Sequence, residues 1–194
     1  MNVPGIPAPL KTAAPHAWTV TGNGLDGRAP AQTDLFTDPL SDRKLQSAPM
    51  ALFATEGDFL LEAEVEAGFA ATFDAGVLLL WQDEDHWAKL CYEYSPQARP
   101  MVVSVVTCGA SDDCNSVARA EPRIWLRVGR KGPGCVFHYS DDGKYWHMVR
   151  AFRLRPGPMQ AGLLVQSPTG EGCSVRFRSI RYRQETLAAL RTGV

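Results

Sequence analysis

The chain has 194 residues, 45% hydrophobic and 21% charged, the composition of an ordinary globular domain long enough to bury one sizeable core. With 20 basic and 21 acidic side chains the net charge is −1, so nothing electrostatic favours nucleic acid or an anionic membrane as partner. The longest apolar run, residues 75–81, falls far short of the ~20 residues of a spanning helix.

In chain order, residues 1–11 show no basic stretch followed by an apolar one, and Pro4, Pro7, Pro9 and Pro15 interrupt the start. This predicts no signal peptide and a cytoplasmic location. Up to residue 50 the chain is rich in Pro and Gly. Residues 18–21 and 33–37 read as short strands, 21–31 as turns and 39–45 as a short helical turn. Beyond residue 50, apolar runs alternate with Gly, Asp, Asn and Pro clusters, the signature of many short strands. The predicted strands are 50–54, 59–66, 75–82, 86–94, 101–107, 124–131, 135–140, 148–152, 159–166 and 174–183. In the tail, Leu187 and Leu190 stand three apart and predict a turn or two of helix over 184–191. Strand following strand without helices between them predicts a single all-β domain over 1–194, a sandwich or a barrel.

The cysteines are Cys91, Cys108, Cys114, Cys135 and Cys173, an odd number that predicts free thiols. Cys108 and Cys114 read as loop neighbours that would join only in an exported protein. There is no CxxC pair, and His16, His86, His138 and His147 are far apart, so neither a metal site nor a cofactor is expected.

Two sets of side chains could carry chemistry. Along 86–94, alternation sends Ala88, Leu90, Tyr92 and Tyr94 to one face and Trp87, Lys89, Cys91 and Glu93 to the other. The apolar set claims the core. The mixed set faces solvent as a Lys–Glu pair worth ~0.2–1 kcal/mol, or lines a groove, with Arg127 contributing from another strand. An aromatic face with flanking charges suits a sugar. Glu62, Glu64 and Glu66 also share one strand face. They read as the polar outside of a strand whose inside is Phe59, Leu61, Ala63 and Val65, or as the paired carboxylates of glycoside hydrolysis. The acidic clusters Asp83-Glu84-Asp85, Asp112-Asp113 and Asp141-Asp142 read as turns. Trp81, Trp125, Trp146, Phe137 and Tyr139 read as core residues.

Several segments, in order, resemble one family. They are Asp74-Ala75-Gly76-Val77-Leu78-Leu79-Leu80-Trp81, running into Trp87-Ala88-Lys89 and Glu93-Tyr94; Ser104-Val105-Val106-Thr107 with Ser111-Asp112; Trp125-Leu126-Arg127-Val128; Tyr139-Ser140-Asp141-Asp142-Gly143-Lys144-Tyr145-Trp146; Ala161-Gly162-Leu163-Leu164; Val175-Arg176-Phe177; and Thr33-Asp34-Leu35-Phe36 near the start. Together they resemble domain-of-unknown-function family 1349 and the related regulation-of-enolase protein family. The resemblance implies a two-sheet antiparallel sandwich of the concanavalin A-like lectin and glucanase type, a jelly roll. The chain departs from the family pattern at Cys91, where Gly is usual, and at Asp113 and Phe36, where Trp is usual.

Three functions follow as expectations. The first is a non-catalytic module binding a carbohydrate or other small ligand, with Trp87, Lys89, Glu93 and Arg127 in one pocket. The second is a glycan-active hydrolase or lyase using two of Glu62, Glu64 and Glu93. The third is a cytoplasmic regulatory protein that binds another protein.

Overall fold

A computed structural model describes residues 1–194. After a short 3-10 turn at Pro15–Ala17 come fifteen strands: β1 (Trp18–Thr21), β2 (Gly24–Pro30), β3 (Leu35–Thr37), β4 (Lys44–Gln46), β5 (Met50–Thr55), β6 (Phe59–Ala67), β7 (Ala75–Asp83), β8 (His86–Tyr94), β9 (Pro100–Cys108), β10 (Ala110–Ala118), β11 (Arg123–Lys131), β12 (Gly134–Ser140), β13 (His147–Phe152), β14 (Met159–Gln166) and β15 (Gly172–Arg183). They form a seven-stranded sheet in the order β1-β2-β15-β6-β11-β12-β13 and a six-stranded sheet in the order β10-β9-β8-β7-β14-β5, with β3 and β4 as a separate ribbon. All strand pairs are antiparallel. The fold is a two-sheet concanavalin A-like sandwich. No helix is long and apolar enough to cross a membrane.

Between the sheets lies one core. Leu61, Ala63 and Val65 of β6, Leu126 and Val128 of β11, Phe137 of β12 and Phe177 of β15 meet Leu78, Leu80, Leu90, Tyr92 and Leu163 from the six-stranded sheet. Gly76 lets β7 approach the opposite sheet, since a Cβ there would lie 2.5 Å from Val175 and 2.6 Å from Val65. A second apolar layer covers the outer face of the six-stranded sheet: Val77 and Leu79 of β7, Trp87 and Cys91 of β8, Val103 and Val105 of β9, and Leu35 of the ribbon strand β3. Because β7 is buried on both faces, its sequence is continuously apolar rather than alternating, and both Val77 and Leu78 are fully buried.

Four local readings of the sequence need correction. Residues 24–30 are a strand, not turns. Gly27 is required there because a Cβ would lie 2.6 Å from Val165 and 2.8 Å from the Trp18 ring. Residues 110–118 are also a strand. As a sheet edge, β10 is largely exposed and lacks an apolar alternation to reveal it. Residues 39–45 form a turn entering β4 rather than a helical turn. The tail beyond β15 is not helical. Its carbonyls instead accept from the seven-stranded sheet: Leu187 and Ala188 from Lys131 Nζ, Leu190 from the His138 ring, and Gly193 from Arg127. Leu187 packs on Leu60 and Val136, so the tail is a strap over that sheet's outer face.

The β9–β10 pairing also separates Cys108 from Cys114. Cys114 lies opposite Ser104, and 108 − 104 = 4 residues along β9. That is roughly 13 Å at the ordinary strand rise, beyond the ~7 Å that a disulfide spans. All five cysteines are free.

Candidate functional site

The site is built on β8. Its neighbours are β7, with Leu79 opposite Lys89 and Ala75 opposite Glu93, and β9, with Val105 opposite Lys89 and Met101 opposite Glu93. Strand alternation carries Trp87, Lys89, Cys91 and Glu93 to the outer face, as the sequence implies. That face is not bare. The β3–β4 ribbon lies against it, held by the Lys44–Asp85 ion pair at 2.7 Å, by Gln46 Nε2 donating to Glu84 O at 2.8 Å, and by Thr37 N donating to Ser111 Oγ at 2.9 Å.

Lys89 is buried under the ribbon, and its ammonium is engaged by two hydrogen bonds and one ion pair. Nζ donates to Leu35 O at 2.7 Å and to Gln166 Oε1 at 2.9 Å, and lies 3.5 Å from Asp34 Oδ1. The Phe36 and Trp87 rings each have their centroids 5.9 Å from Nζ. Two hydrogen-bond acceptors and an anion at ion-pair distance make a buried lysine tolerable. Gln166 ties the arrangement to the neighbouring loop through Nε2, which donates to Phe73 O at 3.2 Å.

Glu93 is treated differently. It is 9% exposed, yet its carboxyl has neither a hydrogen bond nor an ion pair within the chain. It opens into a cleft of about 140 Å³ whose lining also includes Lys89, Asp34, Asp113, Phe36 and Phe73. Burial pushes its pKa up from the ordinary 4.5 to about 7; Lys89 opposes the shift, and Asp34 and Asp113 add to it. Glu93 is therefore a carboxyl that exchanges its proton near neutral pH. Asp113, on the edge strand β10, is exposed and equally without a partner. Two positions where the chain departs from the family pattern, Phe36 and Asp113, line this cleft. The third, Cys91, lies fully buried in the outer apolar layer, where burial pushes its thiol pKa up and keeps it inert.

The remaining candidates lie elsewhere. Trp87 is fully buried and so presents no face to a ligand. Arg127 does not share a pocket with Lys89 and Glu93: it belongs to β11 of the other sheet, on that sheet's outer face. There its Nε donates to Glu62 at 2.9 Å and its Nη1 to Gly193 O at 2.7 Å, and its guanidinium stacks 3.6 Å from the Trp146 ring centroid. Glu62 is held further by Arg183 at 2.9 Å and Arg181 at 3.6 Å, Glu64 lies 3.8 Å from Arg123, and Glu66 pairs with Arg176 at 2.9 Å. Glu62 and Glu64 are thus separated from Glu93 by the thickness of the sandwich. Neither forms a hydrolytic pair with it. Trp125 and Trp146 cover this outer face rather than filling the core.

The acidic turns are structural. Asp83 pairs with His86 at 2.9 Å and with Arg155. Asp142 accepts from Lys144 N at 2.8 Å and Tyr145 N at 2.9 Å, forming the β12–β13 turn. A wider hollow of about 230 Å³, near Arg130, Arg153 and Arg155, contains no buried group without a partner. No three His, Cys, Asp or Glu side chains converge to hold a metal ion.

Asp34, Phe73, Asp113 and Gln166 were not predicted as site residues. Alternation along β14 would have placed Gln166 on the face of Leu164, but nothing local shows that this face meets β8 at Lys89.

The structure is similar to that of a functionally unknown protein from Saccharomyces cerevisiae, with TM-score 0.84 and 21% identity, covering 92% of this chain and 97% of that one. It is also similar to carbohydrate binding module CBM66 from Bacillus subtilis, with TM-score 0.58 and 11% identity, covering 95% and 99% of the two chains. The GH43 protein BlXynB from Bacillus licheniformis matches at TM-score 0.66 and 14% identity; the match covers 88% of this chain but only 35% of that protein. At these identities the likenesses establish the fold alone. No curated protein matches by sequence. A family described as a protein of unknown function, DUF1349, matches residues 12–185, nearly the whole sandwich, and the chain belongs to that family.

Proposed function

We propose that the chain binds a small polar ligand, a carbohydrate or a compound of similar size, in the cleft between the β3–β4 ribbon and the outer face of the six-stranded sheet. One observation carries this reading: Glu93, nine-tenths buried, directs a carboxyl without a protein partner into that cleft. Phe36 and Phe73 supply apolar walls for C–H surfaces, and Glu93 and Asp113 supply acceptors for hydroxyl groups. The similarity to a carbohydrate binding module and to GH43 proteins supports sugars as the first class to test.

The test is a panel of neutral mono- and oligosaccharides followed by NMR on the backbone amides of Glu93, Val103, Val105 and Asp113, with calorimetry for any that bind. Shifts confined to these amides and reduced by Glu93→Gln are expected. A panel that leaves them all unmoved overturns the sugar reading.

A hydrolytic reading retains one favouring observation: Glu93, with its raised pKa, shares a cleft with the carboxylate of Asp113. It predicts turnover of aryl glycosides that is abolished by either Glu93→Gln or Asp113→Asn. The absence of turnover across such substrates removes it. A protein partner ranks third, because the large exposed apolar side chains, Val20, Leu40, Phe73, Tyr145 and Val194, lie on separate segments.

A further inference from the structure

We infer that the cleft selects a ligand carrying an organic ammonium group, received by the carboxylates of Glu93 and Asp113 and flanked by the rings of Phe36 and Phe73. The inference rests on reading the cleft as a ligand site and specifies the charge of what enters it.

The donor and acceptor inventory is one-sided. The cleft's side-chain donors are Lys89 and Gln166, and both already donate within the chain. Lys89 Nζ donates to Leu35 O and Gln166 Oε1 and lies in an ion pair with Asp34 at 3.5 Å, and one N–H of Gln166 Nε2 donates to Phe73 O. Two carboxyl groups have no partner within the chain, and one of them, Glu93, is nine-tenths buried. What remains is an acceptor-rich site of net negative charge, with three carboxylates facing one ammonium. An anion would meet repulsion from three carboxylates, and Lys89, the cleft's one cation, is already turned to Leu35 O, Gln166 Oε1 and Asp34. A neutral hydroxyl compound satisfies acceptors but leaves the charge uncompensated. An ammonium does both, through charge-assisted bonds about twice as strong as neutral ones. The two phenyl rings add cation–π attraction for the same charge. A divalent metal fits less well, since the three carboxylates of the cleft do not converge into a ligand set.

Protonation sets a direction. Glu93 faces Lys89 on its own strand, Asp34 ahead of β3 and Asp113 on β10; its cross-strand neighbours, Ala75 and Met101, are apolar. An ammonium ligand requires Glu93 ionised. Its affinity is therefore full above pH 7 and falls below it, approaching a tenfold loss per pH unit.

The test uses three probes of one shape and different charge: cyclohexylammonium, cyclohexanol and cyclohexanecarboxylate. Each is titrated into the full chain at pH 8 and about 0.15 M salt, with the cleft amides followed by NMR. Cyclohexylammonium is expected to bind about tenfold or more tightly than cyclohexanol, with no shift from the carboxylate. Glu93→Gln should reduce that preference about tenfold and flatten its pH dependence. Asp113→Asn, at an exposed position, should likewise reduce that preference while the pH dependence set by Glu93 stays, and it carries the test should the Glu93 variant fail to fold. If cyclohexanol or a neutral sugar shifts the amides as strongly as cyclohexylammonium, the ammonium inference falls and the ligand site stands. If only cyclohexylammonium shifts them and no sugar does, the inference stands and the sugar reading falls. If none of the probes or sugars moves them, both fall.

Discussion

Each outer face of the sandwich buries a cation beside a carboxylate, and the two faces complete the arrangement differently. On the seven-stranded sheet, Arg127 and Glu62 are closed in. The C-terminal strap supplies Gly193 O, Arg183 supplies a second cation, and Trp146 covers the guanidinium. His138 beside them is buried and pushed below its ordinary pKa by that burial, while its Nε2 meets Leu190 O. On the six-stranded sheet, Lys89 is held by Leu35 O of the ribbon, by Gln166 of β14 and by Asp34, but the next outward carboxyl, Glu93, is left open. A face whose charges are fully paired contributes to folding. A face with one unpaired carboxyl at the mouth of a cleft is the one where a ligand has something to gain.

The largest test of this contrast is Glu62→Ala. It leaves Arg127, 4% exposed, without its buried anion and should cost about 3–5 kcal/mol in urea unfolding. A loss below about 1 kcal/mol would mean that the strap carbonyl and Trp146 suffice, and would erase the difference between the faces. Next is Leu187→Ala, which removes the strap's apolar anchor from Leu60 and Val136. We expect a loss of roughly 2–3 kcal/mol, with the amides of the strap losing hydrogen-exchange protection before the rest of the sandwich.

Glu93 should behave in the opposite way. Its folded pKa, about 7, lies above the ordinary 4.5, so the folded state holds the proton more tightly. Its contribution is fully present below pH 4.5, declines as pH rises, and is lost once pH has passed about 7. Glu93→Gln should therefore match the parent chain at pH 4 and exceed it by roughly 2 kcal/mol at pH 8. A variant less stable than the parent at pH 8 would mean that the carboxylate has a partner, and the two faces would then be alike. The smallest expected effect is that of Asp113→Asn, within about 0.5 kcal/mol of the parent in thermal unfolding, because the side chain is exposed and unpaired. A larger loss would make Asp113 a structural residue and narrow the cleft's free acceptors to Glu93.

The sequence by itself determined the strands from residue 50 onward, apart from β10, because alternation and turn residues are local properties. It determined that Trp87, Lys89 and Glu93 leave one side of β8, since parity follows from the pleat. It also determined that Glu62 shares a face with Glu64 and Glu66. It did not reveal β2 or β10: β2 has its alternation interrupted by glycine, and β10, at an exposed edge, has no apolar face to show. Parity along β11 puts Arg127 on the face opposite Leu126 and Val128, but parity names a face of a strand and not the sheet to which the strand belongs. Only the tertiary structure decided that Arg127 and Lys89 lie on opposite outsides of the sandwich. It alone decided that Trp87 lies beneath the ribbon, and that Lys89 finds its partners 54 residues earlier at Leu35 and 77 residues later at Gln166. The physical reason is range. Face and period are set by neighbours in the chain, whereas the pairing of a buried charge is set by which distant segments the sheet order brings over it.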